Sequence, residues 1–435
     1  MHGDPERVHA GLRSEALWKE AHRFRLFADK SSRTGEKGID STGKHYTIKE
    51  SRKGGGRMSP EAAGRNRRKL TVRSVYQCLY EAKDGCTKAE LAERLNLSLP
   101  TIYQCLTELM GKGLIRYAGA LQSTGGRRPQ RLQVVADARV AVGISLMEDR
   151  IRMVVTDLYL KELHYRNVPH RLQLQSDALA LFLAESLEQL LNDSGTDRKR
   201  LLGVGIAIPG VITTDRKKLL LAPTLGLRDL NLDSLVRRIP YPVFWENDAT
   251  CSGKAEMFVR GGQTNMAYLS LENGVGGAVL IGGKPYPGEH LRSGEFGHMC
   301  VEPAGLPCAC GRRGCLEAYC SAQRFQRTLG VSLEAFFEGL SRHVPEYEML
   351  WYDMLRHLSI GVNNIRMALD CDVVLGGYLS EYLEPYLPQL QAYAAANNTF
   401  EANADYLQMS VLRRHTVPLG AALHFIQAFL SDGEV

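Results

Sequence analysis

Between positions 298 and 317 the chain reads HMCVEPAGLPCACGRRGCLE, which puts one histidine and four cysteines within twenty residues. This cluster restricts the backbone more than any other stretch. Cys308, Cys310 and Cys315 follow a C-x-C-x4-C spacing, and His298 lies ten residues before Cys308. The N-terminus, MHGDPERVHAGLRSE, has no apolar signal core, so the ten cysteines point to metal ligands or buried thiols rather than a disulfide framework. Three thiolates and an imidazole form a tetrahedral Zn²⁺ ligand set, and four protein ligands leave no open position. The expected metal is therefore structural. Gly311 and Gly314 permit the tight loop that brings the cysteines together, and Cys300 and Cys320 remain as spare thiols.

A chain of 435 residues is too long for one ordinary core, and with 44% hydrophobic and 23% charged residues its composition is globular. Residues 1–65 are polar and basic, end in a run rich in Lys, Arg and Gly, and read as a largely disordered arm. Within it a short helix is expected around Glu15 to Phe27, and Met58 is a second candidate start of translation. Residues 66–136 read as three helices and two strands. The first helix carries an apolar stripe of Leu70, Val72, Val75 and Leu79. The second opens on a Thr87/Glu90 capping box. The third has Ser98 as N-cap, Pro100 in its first turn, and Gly111 and Gly113 at its end.

This order is the plan of a winged helix-turn-helix, in which the third helix enters a major groove of duplex DNA and the wing reaches a neighbouring groove. Ile102, Leu106 and Leu109 form the buried stripe of helix three. Ser98, Thr101, Tyr103 and Gln104 are the candidate DNA contacts, with Thr107 facing the same way. In the wing, Gly125 and Gly126 tighten the turn while Arg127 and Arg128 project toward phosphate. Arg65, Arg67, Arg68 and Lys69 add positive charge beside helix one.

From about residue 138 the pattern becomes α/β. RVAVGISL, IRMVVTDL and LLGVGIAIPGVI read as strands around an amphipathic helix, LALFLAESLEQLLND. YPVFWEND, NMAYLSL, AVLIGG and VVLGGYLS repeat this logic among later helices, which predicts two α/β lobes around a cleft over residues 138–435.

GEFGHM followed by CACGRRGCLE resembles the signature of the ROK family of repressors, open reading frames and sugar kinases. IAIPGVI, the END of WENDATCSGKAE, ENGVGGAVL and VLGGYLS stand in that family's order, and the winged helix resembles that of its repressor branch. The resemblance covers residues 66–431 and implies an actin/hexokinase-like (ribonuclease H-like) domain behind the winged helix. It also implies a sugar site. Asn247 and Asp248 match a pair in which the Asp accepts the proton of the sugar hydroxyl that attacks ATP. Glu295 and Glu317 match acidic sugar contacts, and His298 would hold the zinc loop against the sugar.

Two nucleotide loops depart from the kinase pattern. Ser145 stands where family kinases carry Asp, and Met147, Glu148 and Asp149 replace Gly-Gly-Thr. Glu272 and Asn273 replace Gly and Thr of the second loop. Side chains and carboxylates there oppose phosphate binding. The expected function is a sugar-responsive DNA-binding regulator, most simply a repressor of carbohydrate genes. It would bind structural zinc and no ATP, have no catalytic residue, and act as a homodimer or higher oligomer on operator DNA. The alternative is an ATP-dependent sugar kinase with Asp248 as its base. No apolar run reaches the ~18 residues of a membrane helix, which suggests a cytoplasmic protein.

Overall fold

The computed structural model describes residues 37–39, 45–47, 60–120, 130–172, 177–222, 225–261 and 265–432. The helix expected around Glu15 to Phe27 and the wing-tip residues Gly125 to Arg128 lie outside them. In the N-terminal unit, residues 1–65, strands β1 (Lys37–Ile39) and β2 (His45–Thr47) pair antiparallel with Gly38 opposite Tyr46. This pair falls in the stretch read as an unstructured arm.

Helix α1 (Pro60–Glu81) opens at a proline, whose fixed φ and missing N–H suit the first turn. Val72, Val75, Tyr76 and Leu79 are buried along one face, whereas Leu70, expected in that stripe, is 54% exposed. Leu70 lies about 200° of helical rotation from Val72, on the solvent side. Helix α2 (Lys88–Leu95) has the expected capping box: the Thr87 hydroxyl accepts from the Glu90 N–H at 3.2 Å, and the Glu90 carboxylate accepts from the Thr87 N–H at 2.8 Å. Helix α3 (Leu99–Gly111) buries Ile102, Leu106 and Leu109 as expected, and Cys105 as well. Strands β3 (Ile115–Ala120) and β4 (Gln130–Val134) form the antiparallel wing.

The α/β region repeats one plan twice. Its first half comprises β5 (Val140–Leu146), β6 (Arg150–Thr156), β7 (Glu162–Pro169), helix α4 (Asp177–Asp193), β8 (Leu201–Ile208) and β12 (Val243–Asn247). A side sheet of β9 (Val211–Ile212), β10 (Lys218–Ala222) and β11 (Leu227–Asn231) precedes β12. Helix α5 (Asp248–Arg260) then leads into β13 (Met266–Leu271), β14 (Val275–Ile281), β15 (Lys284–Pro285), helix α6 (Leu316–Cys320), helix α7 (Pro345–Leu369), β16 (Asp372–Gly376) and β17 (Leu407–Met409). The two main sheets run β12-β8-β5-β6-β7 and β15-β14-β13-β16-β17. In each, three consecutive strands form an antiparallel meander and two later strands add in parallel beside its first strand. The later strands need crossover connections, which is where the helices sit.

The C-terminal helix α8 (Thr416–Asp432) returns to the first sheet and wedges against α5. Gly143 and Gly205 face each other on paired strands β5 and β8. A Cβ at Gly143 would come within 1.7 Å of the Pro418 carbonyl oxygen, and one at Gly205 within 1.9 Å of that of Ala421. On the other side, a Cβ at Gly420 would meet the Cys251 carbonyl oxygen at 1.9 Å. Three glycines thus let one helix touch both a sheet and a second helix, backbone to backbone. The far end of α8 belongs to the same hydrophobic cluster as the winged helix, with Leu423, Ile426 and Phe429 sharing a core with Val75, Tyr76 and Leu79. Tyr80 stacks on Tyr159 at 4.4 Å and donates to the Leu158 carbonyl at 2.6 Å.

Candidate functional site

A cleft of about 1500 Å³ opens between the two sheets, and Ser145, Asn247, Asp248, Glu272, Glu295 and Glu317 all line it. Strand β12 delivers Asn247 and Asp248 at the point where it becomes helix α5. Asn247 is the N-cap of that helix: its Oδ1 accepts from the Thr250 N–H at 2.9 Å, and its Nδ2 donates to the Gly210 carbonyl at 3.1 Å. Asp248 accepts from the Ala249 N–H at 2.8 Å. Burial pushes its carboxyl above the usual range, the Glu295 charge adds to this, and the Ala249 N–H opposes it. Glu295 is also raised, first by desolvation and then by Glu317, while His298 and Arg292 pull it down. Leu291, on the loop that enters this site, holds a left-handed backbone at φ 60°.

Glu317, in the first turn of α6, accepts from the Val275 N–H at 3.0 Å. That contact needs glycine at 274, where a Cβ would lie 2.7 Å from the Glu317 carboxylate. The Glu317–Val275 hydrogen bond joins the cysteine loop to the β13–β14 turn, and no spacing in the sequence announces it.

The ligand atoms of His298, Cys308, Cys310 and Cys315 all lie within 4.8 Å of one another. The Cys310 and Cys315 sulfurs are 3.7 Å apart, and the Cys308 sulfur is 3.8 Å from His298 Nδ1. Metal–sulfur bonds of ~2.3 Å give a tetrahedron with edges of about 3.8 Å, so the four side chains fit a tetrahedral metal. Gly311 and Gly314 turn the loop at φ 84° and 78°. A Cβ at Gly314 would meet the Glu302 carbonyl oxygen at 2.0 Å. Tyr319 supports the loop from below, accepting the Leu306 N–H at 2.8 Å and stacking on His357 at 3.8 Å.

At the two loops that depart from the kinase pattern, Met147 to Asp149 form the β5–β6 turn, and Asp149 pairs with Arg150 at 2.6 Å. Glu272 and Asn273 form the β13–β14 turn, where the Tyr378 hydroxyl donates to Asn273 Oδ1. Burial pushes the Glu272 carboxyl up to about 7, with Arg152 lowering it and Asp248 raising it. Sequence reasoning missed Glu246, a buried carboxylate one residue before Asn247 that binds Arg216 at 2.7 Å and positions the turn.

On the winged helix, Ser98 and Thr101 are engaged with each other through their hydroxyls at 2.9 Å, while Tyr103 and Gln104 are exposed. Arg68 pairs with Glu108 at 3.3 Å. Residues 66–136 carry twelve Lys and Arg against five Asp and Glu, a surplus of seven, whereas the whole chain has a surplus of six. Residues 1–65 add fourteen Lys and Arg against nine Asp and Glu, so the positive charge lies on the N-terminal 136 residues and residues 137–435 carry a net negative charge.

A family profile described as "ROK family" matches residues 141–428. The chain belongs to the ROK family. A second profile, "Winged helix-turn-helix DNA-binding", matches residues 69–116. The xylose repressor of Bacillus subtilis is 30% identical over 343 residues, covering 77% of this chain and 81% of that protein. The crystal structure of a ROK family transcriptional regulator, a homolog of the E. coli MLC protein, superposes with a TM-score of 0.65 at 20% identity, covering 84% of this chain and 97% of its own. A ROK hexokinase from Thermus thermophilus superposes at 0.54 with 28% identity, covering 68% of this chain and 100% of its own. The ROK fold is thus the actin/hexokinase-like two-lobed domain, here preceded by a winged helix-turn-helix. Among the described residues no helix is long and apolar enough to cross a membrane.

Proposed function

We propose that this ROK protein is a sugar-responsive transcription regulator, most simply a cytoplasmic repressor of carbohydrate genes that binds operator DNA as a homodimer or higher oligomer. The observation that carries this reading is the shared core that joins a basic winged helix to a two-lobed sugar domain. The relative named xylose repressor supports it across both parts of the chain. Asp248, Glu295, Glu317 and the Asn247 amide would hold vicinal hydroxyls of the sugar. Closing the lobes on the sugar favours one arrangement of the winged helices over another, and only such a difference in affinity can move DNA binding. Thr101, Tyr103 and Gln104 on α3, with Ser98 at its N-cap, would face the DNA, and Arg127 and Arg128 would add charge toward phosphate.

The Cys/His cluster is read as a structural Zn²⁺ site, because four protein ligands close the coordination sphere. Its part is to brace Glu295 and Glu317 at the cleft. Cys310→Ser is expected to lose both zinc and the sugar response, and metal analysis finding no zinc in the wild-type protein would refute the site.

The kinase reading keeps one supporting observation, Asp248 with its raised pKa at the cleft. Against it stand Met147, Glu148 and Asp149 in place of a glycine cradle, and Glu272 where a phosphate would sit. Incubation with ATP, Mg²⁺ and a sugar panel is expected to release no ADP above background. Robust turnover would sink the repressor-only reading. The direct test is a gel shift on the chain's own upstream DNA with and without each sugar. One sugar should alter the shift, and no binding at low salt would overturn the assignment.

A further inference from the structure

Lys88, the first residue of α2, lies between two aromatic rings from different elements. Its ammonium is 4.2 Å from the ring centre of Tyr103 on α3 and 5.5 Å from that of Tyr117 on β3. Tyr103 and Tyr117 are 52% and 43% exposed, so the cluster is open to solvent on one side. Cation–π attraction holds the ammonium between them. Hydrogen bonding to the Tyr117 hydroxyl, and less to that of Tyr103, keeps the lysine above its usual pKa. The capping box at Thr87 fixes the backbone one residue before Lys88, and the two rings hold its ammonium at the end of the side chain.

We propose that Lys88, Tyr103 and Tyr117 form a binding site for one phosphodiester of duplex DNA at the seam between α3 and the wing. The proposal rests on the DNA-binding reading above. When α3 lies in a major groove and the wing reaches the adjacent groove, the sugar–phosphate strand that separates the two grooves must pass between α3 and β3. The Lys88–Tyr103–Tyr117 cluster occupies that seam. A lysine has three N–H donors, an ammonium held against two ring faces can turn a donor to a phosphate oxygen, and each tyrosine has an O–H to donate beside it. The exposed ring faces suit the deoxyribose beside the phosphate. The domain's positive surplus matches a polyanion, and a backbone contact fixes register without reading bases.

The test is fluorescence anisotropy of the full chain on its own upstream duplex and on an unrelated duplex, from about 50 to about 200 mM salt. Lys88→Ala is expected to weaken binding to both duplexes by the same factor and to lower the salt slope by about 0.9. Tyr117→Ala, which leaves the ammonium without its wing-side partner, is expected to weaken both duplexes equally. Lys88→Arg keeps the charge and should retain the slope, which separates a lost phosphate contact from a damaged fold. Lys88→Ala with the wild-type slope on both duplexes would overturn the proposal, as would a loss confined to the specific duplex. Wild-type protein that binds neither duplex at low salt overturns instead the DNA-binding reading on which it rests.

Discussion

Two carboxylates carry the clearest consequences at the scale of single residues. Glu256 is fully buried and accepts from Arg260 at 2.6 Å, Ser410 Oγ at 2.6 Å, the Val411 N–H at 2.7 Å and the Leu412 N–H at 3.1 Å. It ties α5 to the segment after β17. Glu256→Ala would leave the Val411 and Leu412 N–H groups without their acceptor and remove the anionic partner of Arg260, which keeps Gln408 and the Met409 carbonyl, so a loss of about 2–4 kcal/mol is expected in denaturant unfolding. Glu272 behaves oppositely. Its folded pKa of about 7 lies above the unfolded value of 4.5, so the native state binds the extra proton between those values. Its contribution is therefore intact below pH 4.5 and falls as pH rises through 7. Glu272→Gln should gain on wild type by on the order of 1–2 kcal/mol between about pH 5 and about pH 8, after allowing for water in the cleft. A gap in melting temperature that does not widen with pH would remove this account. Residue identity and spacing announced the four side chains of the Cys/His cluster, because thiolates and imidazole have few other uses at such spacing, whereas Asp248 was reached through the resemblance to the ROK family. Neither announced Glu246 or Glu256, whose importance comes from partners up to 156 positions away in the chain.

Among the elements, α8 is held by what its neighbours lack. Gly143→Ala and Gly205→Ala would drive a methyl into a helix backbone that has no room to move, and losses above about 4 kcal/mol, or failure to fold, are expected. Gly64 inside α1 has nothing within 4 Å of its Cβ position. Gly64→Ala should therefore raise stability by about 0.5–1 kcal/mol, since alanine is the better helix former. Thermal melting of the three variants checks the contrast. Helices and central strands were legible in the sequence because their apolar periods are strong, as along α3 and β5. Strand β7 was not: ELHYRNVP is polar and largely solvent-facing at a sheet edge, so its place comes from pairing with β6. Strand β17 is three residues long, too short for any period to register.

For the whole molecule, the continuous core from α1 through α8 joins the DNA-facing domain to the sugar domain. Tyr76 meets Phe429 edge to face at 6.1 Å within it. Residues 66–435 should consequently unfold in one calorimetric transition, and Phe429→Ala should lower that single transition by about 3–5 kcal/mol. Two separated transitions in the wild-type protein would contradict a shared core. A bound sugar should raise the same transition with the logarithm of its concentration. What the sequence determined by itself was local: the capping box at Thr87 and Glu90, the ligand spacing of the cysteine loop, and the winged-helix order. Each depends on residues a few positions apart, where short-range geometry and side-chain chemistry leave little choice. Only the tertiary structure decided that Asn247 spends most of its amide on capping a helix, that Glu317 reaches Val275, that Lys88 sits between two tyrosines, and that the last helix returns to the first sheet. Those contacts join residues distant in the chain, and such pairing depends on how whole faces pack rather than on any local period.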